Sequence, residues 1–318
     1  MEPPTQHQPS VDTSDMTTHD LIPAPALREL NGRSDRAGWS QTLGHGALIL
    51  ASGWVWGHGA FPWVVRLPAL LLLGWGLAFA FCAMHECGHR TAFASRAVND
   101  AVAWWAGVLS FYNADFYRRY HQWHHRYTNQ PGLDPELEDA PPTSRAGYLL
   151  QLSGLPWWTG KLRGHWRGLR GEFSANPYIP ADAAPSVRSS LWKQAAVYGV
   201  VLGLSVPGGN GFLLWFWLLP LALGQPLLRF VLLAEHGGCS NSGDGLANTR
   251  TTHTLAPLRW LMWNMPYHVE HHLFASVPFH ALATAHQHIA PRLVHNAPGY
   301  LAVHRRFLAD PSVLALPA

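Results

Sequence analysis

The chain has 318 residues, enough for a sizeable core, and a net charge of only +3, with no basic stripe of the kind that tracks nucleic acid. Charged residues make up 13%, while 16 Trp and 20 His stand out; soluble domains usually carry about twice that share of charge. Cys82, Cys87 and Cys239 form neither a CxxC pair nor an even framework, so reduced thiols are expected and a disulfide scaffold is not.

The opening stretch, Met1 to about Arg36, is polar and Pro-rich. It lacks the basic and apolar regions of a cleavable signal, and residues 1–38 are expected to form a mobile polar tail. From Trp39 to Val65 there is no Lys, Arg, Asp or Glu, and Leu67 to Met84 is an uncharged run. A membrane span needs about 20 apolar residues. The two blocks therefore predict a hairpin of spans over 40–57 and 63–84, turning near Gly57-His58-Gly59. A second hairpin is expected over 191–206 and 212–234, turning at Pro207-Gly208-Gly209-Asn210-Gly211, with Arg229 placed to snorkel.

The expected fold is thus all-α and integral to the membrane, with four transmembrane helices in a domain over 39–290 and a C-terminal tail over 291–318. Buried core helices of a soluble protein are the alternative, but runs this unbroken are not amphipathic. Ala101–Phe111, Tyr148–Trp158 and Leu258–Trp263 are apolar and Trp-rich but too short to span; they predict helices lying on the membrane surface or packed under the polar lobe. The inter-helix turns carry only Arg66. The intervening segment, about 85–190, carries Arg90, Arg96, Arg118, Arg119, Arg126, Arg163, Arg167 and Arg170. The positive-inside rule places that segment and both termini in the cytoplasm.

Eight histidines fall in three clusters: His85-Glu86-Cys87-Gly88-His89, His121-Gln122-Trp123-His124-His125, and His268-Val269-Glu270-His271-His272. On a helix, positions i, i+3 and i+4 share a face within an arc of roughly 100°. Each cluster lies at the end of a predicted span or in a cytoplasmic segment, so all three can face one point beneath the membrane. Eight imidazoles invite a pair of metals, each taking about four or five nitrogens, and imidazole suits Fe, Zn and Cu alike. His236 ends the fourth span at a depth comparable to His85 and is a candidate ninth ligand; a satisfied interfacial histidine is the other reading. His7, His19, His165, His286, His288, His295 and His304 read as surface residues. Glu86-x-x-His89 is the only Glu-x-x-His pair, whereas ferritin-like centres need more carboxylates. Glu270 sits about 200° around its helix from His268. The acids are therefore read as outer partners that orient imidazoles.

These clusters resemble the membrane fatty acid desaturase superfamily. The resemblance rests on His85-Glu-Cys-Gly-His89; on His121-x-x-His124-His125 with Thr128-Asn129 and Asp134-Pro135-Glu136; and on Asn264-Met-Pro-Tyr-His268-Val-Glu270-His271-His272 with Val277-Pro278. It covers roughly 40–290. The first box, the third box and Asn248-Thr249-Arg250-Thr251-Thr252 look most like bacterial acyl desaturases. It implies four membrane helices beneath a cytosolic helical cap, two Fe ions where they meet, and ligands His85, His89, His121, His124, His125, His236, His268, His271 and His272. It also implies outer partners Glu86, Asp134, Asn264 and Glu270, and O2-dependent desaturation of an acyl chain. Relatives carry a water-holding Asn four residues before the ninth histidine, where this chain has Leu232.

Hydroxylases and ketolases acting on a carotenoid, sphingolipid or alkane share much of the pattern and are the alternative. An acyl tail is expected between cap and spans, near Trp104, Trp105, Trp123 and Trp263, unless those indoles are interface anchors. With no haem-binding extension, no cysteine set for an iron–sulfur cluster and no GxGxxG after a strand, electrons must come from an external donor, a ferredoxin or a cytochrome with its reductase. His85-Glu86-x-x-His89 also matches the H-E-x-x-H of zinc proteases, which leaves six boxed histidines unexplained. A non-enzymatic membrane receptor or metal-binding protein is the remaining reading.

Overall fold

The computed structural model describes residues 21–206 and 211–315. The N-terminal helices are α1 (Ala24–Leu30), α2 (Asp35–Gly57), α3 (Trp63–His89), α4 (Arg96–Ser110) and α5 (Ala114–Tyr127). They are followed by α6 (Arg145–Leu152), α7 (Leu155–Arg170), α8 (Ala184–Ser205) and α9 (Leu219–His236), the last continuing from a π-helical turn over Leu214–Leu218. The C-terminal part holds α10 (Ala256–Leu261), α11 (His268–Leu273), α12 (Leu282–Ile289) and α13 (Tyr300–Ala309). The strands are β1 (Thr251–Thr252) and β2 (Asn296–Ala297), paired in parallel. The fold is all-helical apart from this pair.

Helix α3 is the axis of the molecule, packed against α2, α4 and α9. Its sequence explains why: from Ala69 to Cys87 nearly every side chain is apolar and buried. It crosses α9 at Gly74 and Gly224. A Cβ on Gly74 would collide with the carbonyl of Pro220, and one on Gly224 with the carbonyl of Gly74, so the backbones approach as only small residues allow. The helix stops at Arg90, in the left-handed conformation at φ 62°. Arg90 and Arg118 both pair with Asp100, which ties the ends of α3, α4 and α5 together.

Two stretches, Trp63–His89 and Leu214–His236, are long and apolar enough to cross a membrane. The four predicted spans correspond to helices that run further than hydropathy indicated. The second continues past residue 84 to His89, the fourth past 234 to His236, and the third begins at Ala184. Each added segment is polar, but its backbone stays helical because its side chains find partners inside the protein. Among the described residues, α2 and α8 lack the uninterrupted apolar window of α3 and α9. They still present exposed Leu43, Leu50 and Trp54, and Trp192, Val200 and Leu204. Of the turn predicted at 207–211, all but Gly211 lies outside the described residues, as do His7 and His19.

Both predicted tails are drawn too long. Ile22 and Leu30 are buried against Leu246, Val269, Val277 and Leu282, so the chain is packed from Leu21 onward. At the other end α13 packs on α9 and α6 and buries Val303 and Phe307. His304, read as a surface residue, is buried there. It accepts from Tyr148 Oη at Nδ1 (2.8 Å) and donates from Nε2 to the Phe230 carbonyl (2.6 Å). Sparse charge in short segments hid these contacts, because a ten-residue helix gives little periodicity to read. Arg229 also departs from expectation. It does not reach outward; its Nη2 donates to Tyr112 Oη at 3.0 Å and its guanidinium lies 5.5 Å from the Trp157 ring.

Candidate metal centre

The histidine clusters sit on four elements that end at one place. Helix α3 delivers His85 and His89 in its last turns. Helix α5 is started by Asn113, whose side chain accepts from Phe116 N, with Asp115 in the first turn; both favour a helix N-terminus. It delivers His121, His124 and His125. Helix α9 ends at His236. The third box arrives on the short α11, after Trp263 and Asn264 take φ values of 53° and 58°. That left-handed conformation is common for Asn and uncommon for a bulky aromatic, and it turns the chain back toward the site.

The nine predicted histidines meet in two groups. His85, His89, His121, His125 and His271 each offer a ligand atom within 4.8 Å of the others. The Nε2 atom of His271 lies 2.8 Å from that of His85 and 3.1 Å from that of His125, and His125 lies 2.9 Å from His121. The second group holds His124, His236 and His272. His268 joins it, with Nε2 at 3.0 Å from His236 Nε2 and 3.2 Å from His272 Nε2.

The donor set fits metal ions. Imidazole nitrogens facing one another can share a proton pairwise, but five converging nitrogens have no such solution. Metal–imidazole bonds of about 2.1 Å place neighbouring nitrogens roughly 3 Å apart, which is the spacing found. The tautomers agree. His236 Nδ1 faces the Asn248 carbonyl at 3.2 Å, and a carbonyl only accepts, so Nδ1 carries the hydrogen and Nε2 keeps its lone pair for the site. His124 Nδ1 likewise faces both oxygens of Asp134, at 2.9 and 3.0 Å. His89 Nε2 is buried without a protein partner.

Electrostatics set one histidine apart from the rest. Burial, reinforced by neighbouring imidazoles, holds His121, His125, His268, His271 and His272 well below the usual histidine range, and so in the neutral form that ligates. His124 is the exception. Burial pulls it down, but Glu136 and Asp134 outweigh that pull and raise it. Asp134 answers in kind: burial pushes its carboxyl up, and His124 with two backbone N–H groups brings it below the usual range.

Of the four predicted outer partners, Asp134 holds a boxed imidazole. The other three bond elsewhere. Glu86 accepts from Thr91 Oγ1 and from Phe279 N. Asn264 donates to the Phe279 carbonyl at 2.9 Å. Glu270 accepts from Thr251 Oγ1 and from Nδ1 of His286, which is therefore no idle surface residue. These groups brace the loop that carries α11. Glu86, fixed on Thr91 and Phe279, is also not placed as the general base an H-E-x-x-H protease requires.

The outer partners that sequence reasoning missed are Tyr117, whose Oη lies 3.1 Å from His85 Nδ1, and Thr128, 3.2 Å from His272 Nδ1. Glu235 lies 3.4 Å from His268 Nε2 and Glu136 3.9 Å from His124 Nε2. Glu235, adjacent to His236, and Glu136, two residues after Asp134, carried the only local signal. Trp263, proposed to line a substrate path, is instead core: its Nε1 donates to His45 Nδ1 at 3.2 Å.

An all-helical chain with nine converging imidazoles defines a class with a candidate poly-histidine metal centre, and comparison places it more narrowly. The family described as Fatty acid desaturase matches residues 61–304. The chain is 25% identical over 311 residues to the sn-1 oleoyl-lipid 12-desaturase of Synechocystis sp., covering 89% of this chain and 84% of that protein. It is 28% identical over 256 residues to the sphingolipid delta(4)-desaturase/C4-monooxygenase DES2 of Mus musculus, covering 74% and 71%. Against the delta(5) fatty acid desaturase fat-4 of Caenorhabditis elegans the identity is 27% over 249 residues, covering 69% and 56%. The chain belongs to the fatty acid desaturase family.

Proposed function

We propose that the protein is a membrane-embedded di-iron oxidase that introduces a double bond into an acyl chain at the expense of O2. The observation that carries this reading is the division of nine histidines into groups of five and four at the ends of the two most apolar helices. His85, His89, His121, His125 and His271 would hold one iron; His124, His236, His268 and His272 would hold the other. Bound iron would supply what side chains cannot, the reduction of O2 and removal of hydrogen from an unactivated C–H bond.

The chain's own residues do the rest. Asp134, the Asn248 carbonyl, Thr128 and Tyr117 fix ring orientation and keep the inward nitrogens of His124, His236, His272 and His85 unprotonated. The packed surround of Phe81, Tyr112 and Tyr117 excludes water from the side of His85. The electrons come from an external ferredoxin or cytochrome with its reductase. In this reading α2, α3, α8 and α9 all cross the bilayer, their exposed apolar side chains facing lipid. The Arg-rich lobe, the site and both termini then face the cytoplasm.

Hydroxylation at the same site is the second reading, favoured by the mouse relative whose name joins a desaturase to a monooxygenase. Iron analysis together with lipid analysis of an expressing host tests both. About two iron ions per chain and a new double bond are expected. A new hydroxyl would move the assignment to the second reading, and one zinc with neither product would overturn both.

A further inference from the structure

A second constellation of polar groups, half-buried around one buried ring, stands apart from the histidines, and the metal chemistry does not use it. Its centre is Tyr112, 6% exposed. Its hydroxyl oxygen accepts from Arg229 Nη2 at 3.0 Å and from Trp157 Nε1 at 2.9 Å, which leaves the Tyr112 hydrogen to donate elsewhere. The Lys161 ammonium stands over the same ring, 3.7 Å from its centroid. Among the described residues neither Arg229 nor Lys161 makes an ion pair within 4.0 Å. Unused hydrogen-bonding capacity accompanies them on α9: Arg229 Nε and both side-chain polar atoms of Gln225, one turn away, are buried without a partner.

Two cations that face Glu136 and Glu235 only from beyond 4.0 Å are costly to keep among apolar helices and mark a binding function. Burial first, then Arg229 beside it, pulls the Lys161 amine down to about 7, with Glu136 pulling the other way. An arriving anion would remove that strain. The position suits a substrate. Gln225, Arg229 and His236 lie on one face of α9, and seven residues of helix set Arg229 about two turns, roughly 10 Å, from His236. Tyr112 also stacks toward the metal groups, with ring centroids 4.8 Å from Phe81 and 5.8 Å from Tyr117, both of which contact His85.

We propose that Arg229, Lys161 and the Tyr112 hydroxyl seat the carboxylate of a substrate that enters whole, as a free acid whose chain runs from this seat toward the histidines. The inference rests on the oxidase reading for the reaction, and narrows its substrate to acids without a bulky headgroup. Arg229 supplies a planar donor edge suited to a carboxylate, Lys161 a second charge, and Gln225 donors to the same oxygens.

The test is equilibrium binding to the purified, iron-loaded full chain in detergent, using octanoate and dodecanoate against their methyl esters. The acids are expected to bind at least about tenfold tighter than the esters. Arg229→Gln and Lys161→Gln are each expected to remove that preference while leaving ester binding unchanged. Equal affinity for acid and ester, or wild-type acid affinity in both variants, overturns the proposal. If Arg229→Gln fails to fold, Lys161→Gln, on a different helix, decides alone. Binding is read without turnover. Failure to consume O2 with reductant therefore sinks the oxidase reading and leaves the seat standing, whereas turnover of esters with no acid preference sinks the seat alone.

Discussion

The two histidine groups differ in what stands behind them. The group of four is backed by a carboxylate, a carbonyl and a hydroxyl: Asp134 on His124, the Asn248 carbonyl on His236 and Thr128 on His272, while His268 Nδ1 is buried without a partner. In the group of five, Tyr117 supports His85, while the outward Nδ1 atoms of His121 and His271 are buried without partners. Carboxylate backing raises ligand basicity and fixes ring orientation before metal arrives. Three of the four imidazoles in one group are therefore oriented from outside, whereas the other group relies on the number of nitrogens it gathers. Different routes lead to one requirement, that each inward nitrogen be neutral and aimed.

The sharpest break of this comparison removes one ligand from each side. His124→Ala and His271→Ala are each expected to abolish product and to lower iron content, read by lipid analysis and metal assay; full activity in either would refute the grouping. Next in size is Gly224→Leu, which forces a side chain into the α3 backbone. Overpacking of this kind costs about 1–3 kcal/mol or more, and a lower melting temperature or loss of folded protein should report it. Asp134→Asn comes third. Loss of an outer carboxylate should cost about 10–100-fold in iron affinity or activity, whereas Tyr117→Phe on the other group should cost less; the reverse order would invert the comparison.

Acid sets His124 apart from the other histidines. His121, His125, His268, His271 and His272 are held neutral when folded, below the unfolded value of 6.5. The unfolded chain therefore takes up protons that the folded chain refuses as pH falls through 6.5. Each such proton weakens folding by roughly 1.4 kcal/mol per pH unit. The melting temperature of the metal-free protein should fall steadily below that pH. His124 runs the other way: its raised value stabilises the fold below 6.5 and the benefit is lost as pH rises through the folded value. Asp134→Asn should remove this opposing slope in the same melting series. The smallest effect is expected of Glu86→Gln. It keeps an acceptor for Thr91 and Phe279 N and should leave most activity, where a protease would lose all.

Much of this was legible before any coordinates. Long uncharged runs gave α3 and α9, because a helix that must bury or face lipid on every side is apolar throughout. The nine histidines were legible from spacing and depth. Short helices such as α1 and α13 were not, since a few apolar residues amid polar ones carry no periodicity; Ile22 and Phe307 look ordinary until their neighbours are known. Outer partners were legible only where adjacent in sequence to a box. Tyr117 and Thr128 fell to tertiary contact, and the roles guessed for Glu86, Asn264 and Glu270 went to loop bracing instead.

The boxes show where sequence stops and folding takes over. Helical spacing alone determines that His121 and His125 lie about 40° apart, as do His268 and His272, while His124 and His271, at i+3, turn about 60° the other way. That much is intrinsic to the backbone. Which histidine group each side joins is not. The i+4 pairs of the first two boxes join His271 of the third, and the i+4 pair of the third joins His124 of the second and His236. The exchange arises because α5 and α11 face each other across the site, so each helix's odd histidine points into its partner's group. A helix's period is a local property, but the angle at which two helices meet belongs to the packed whole.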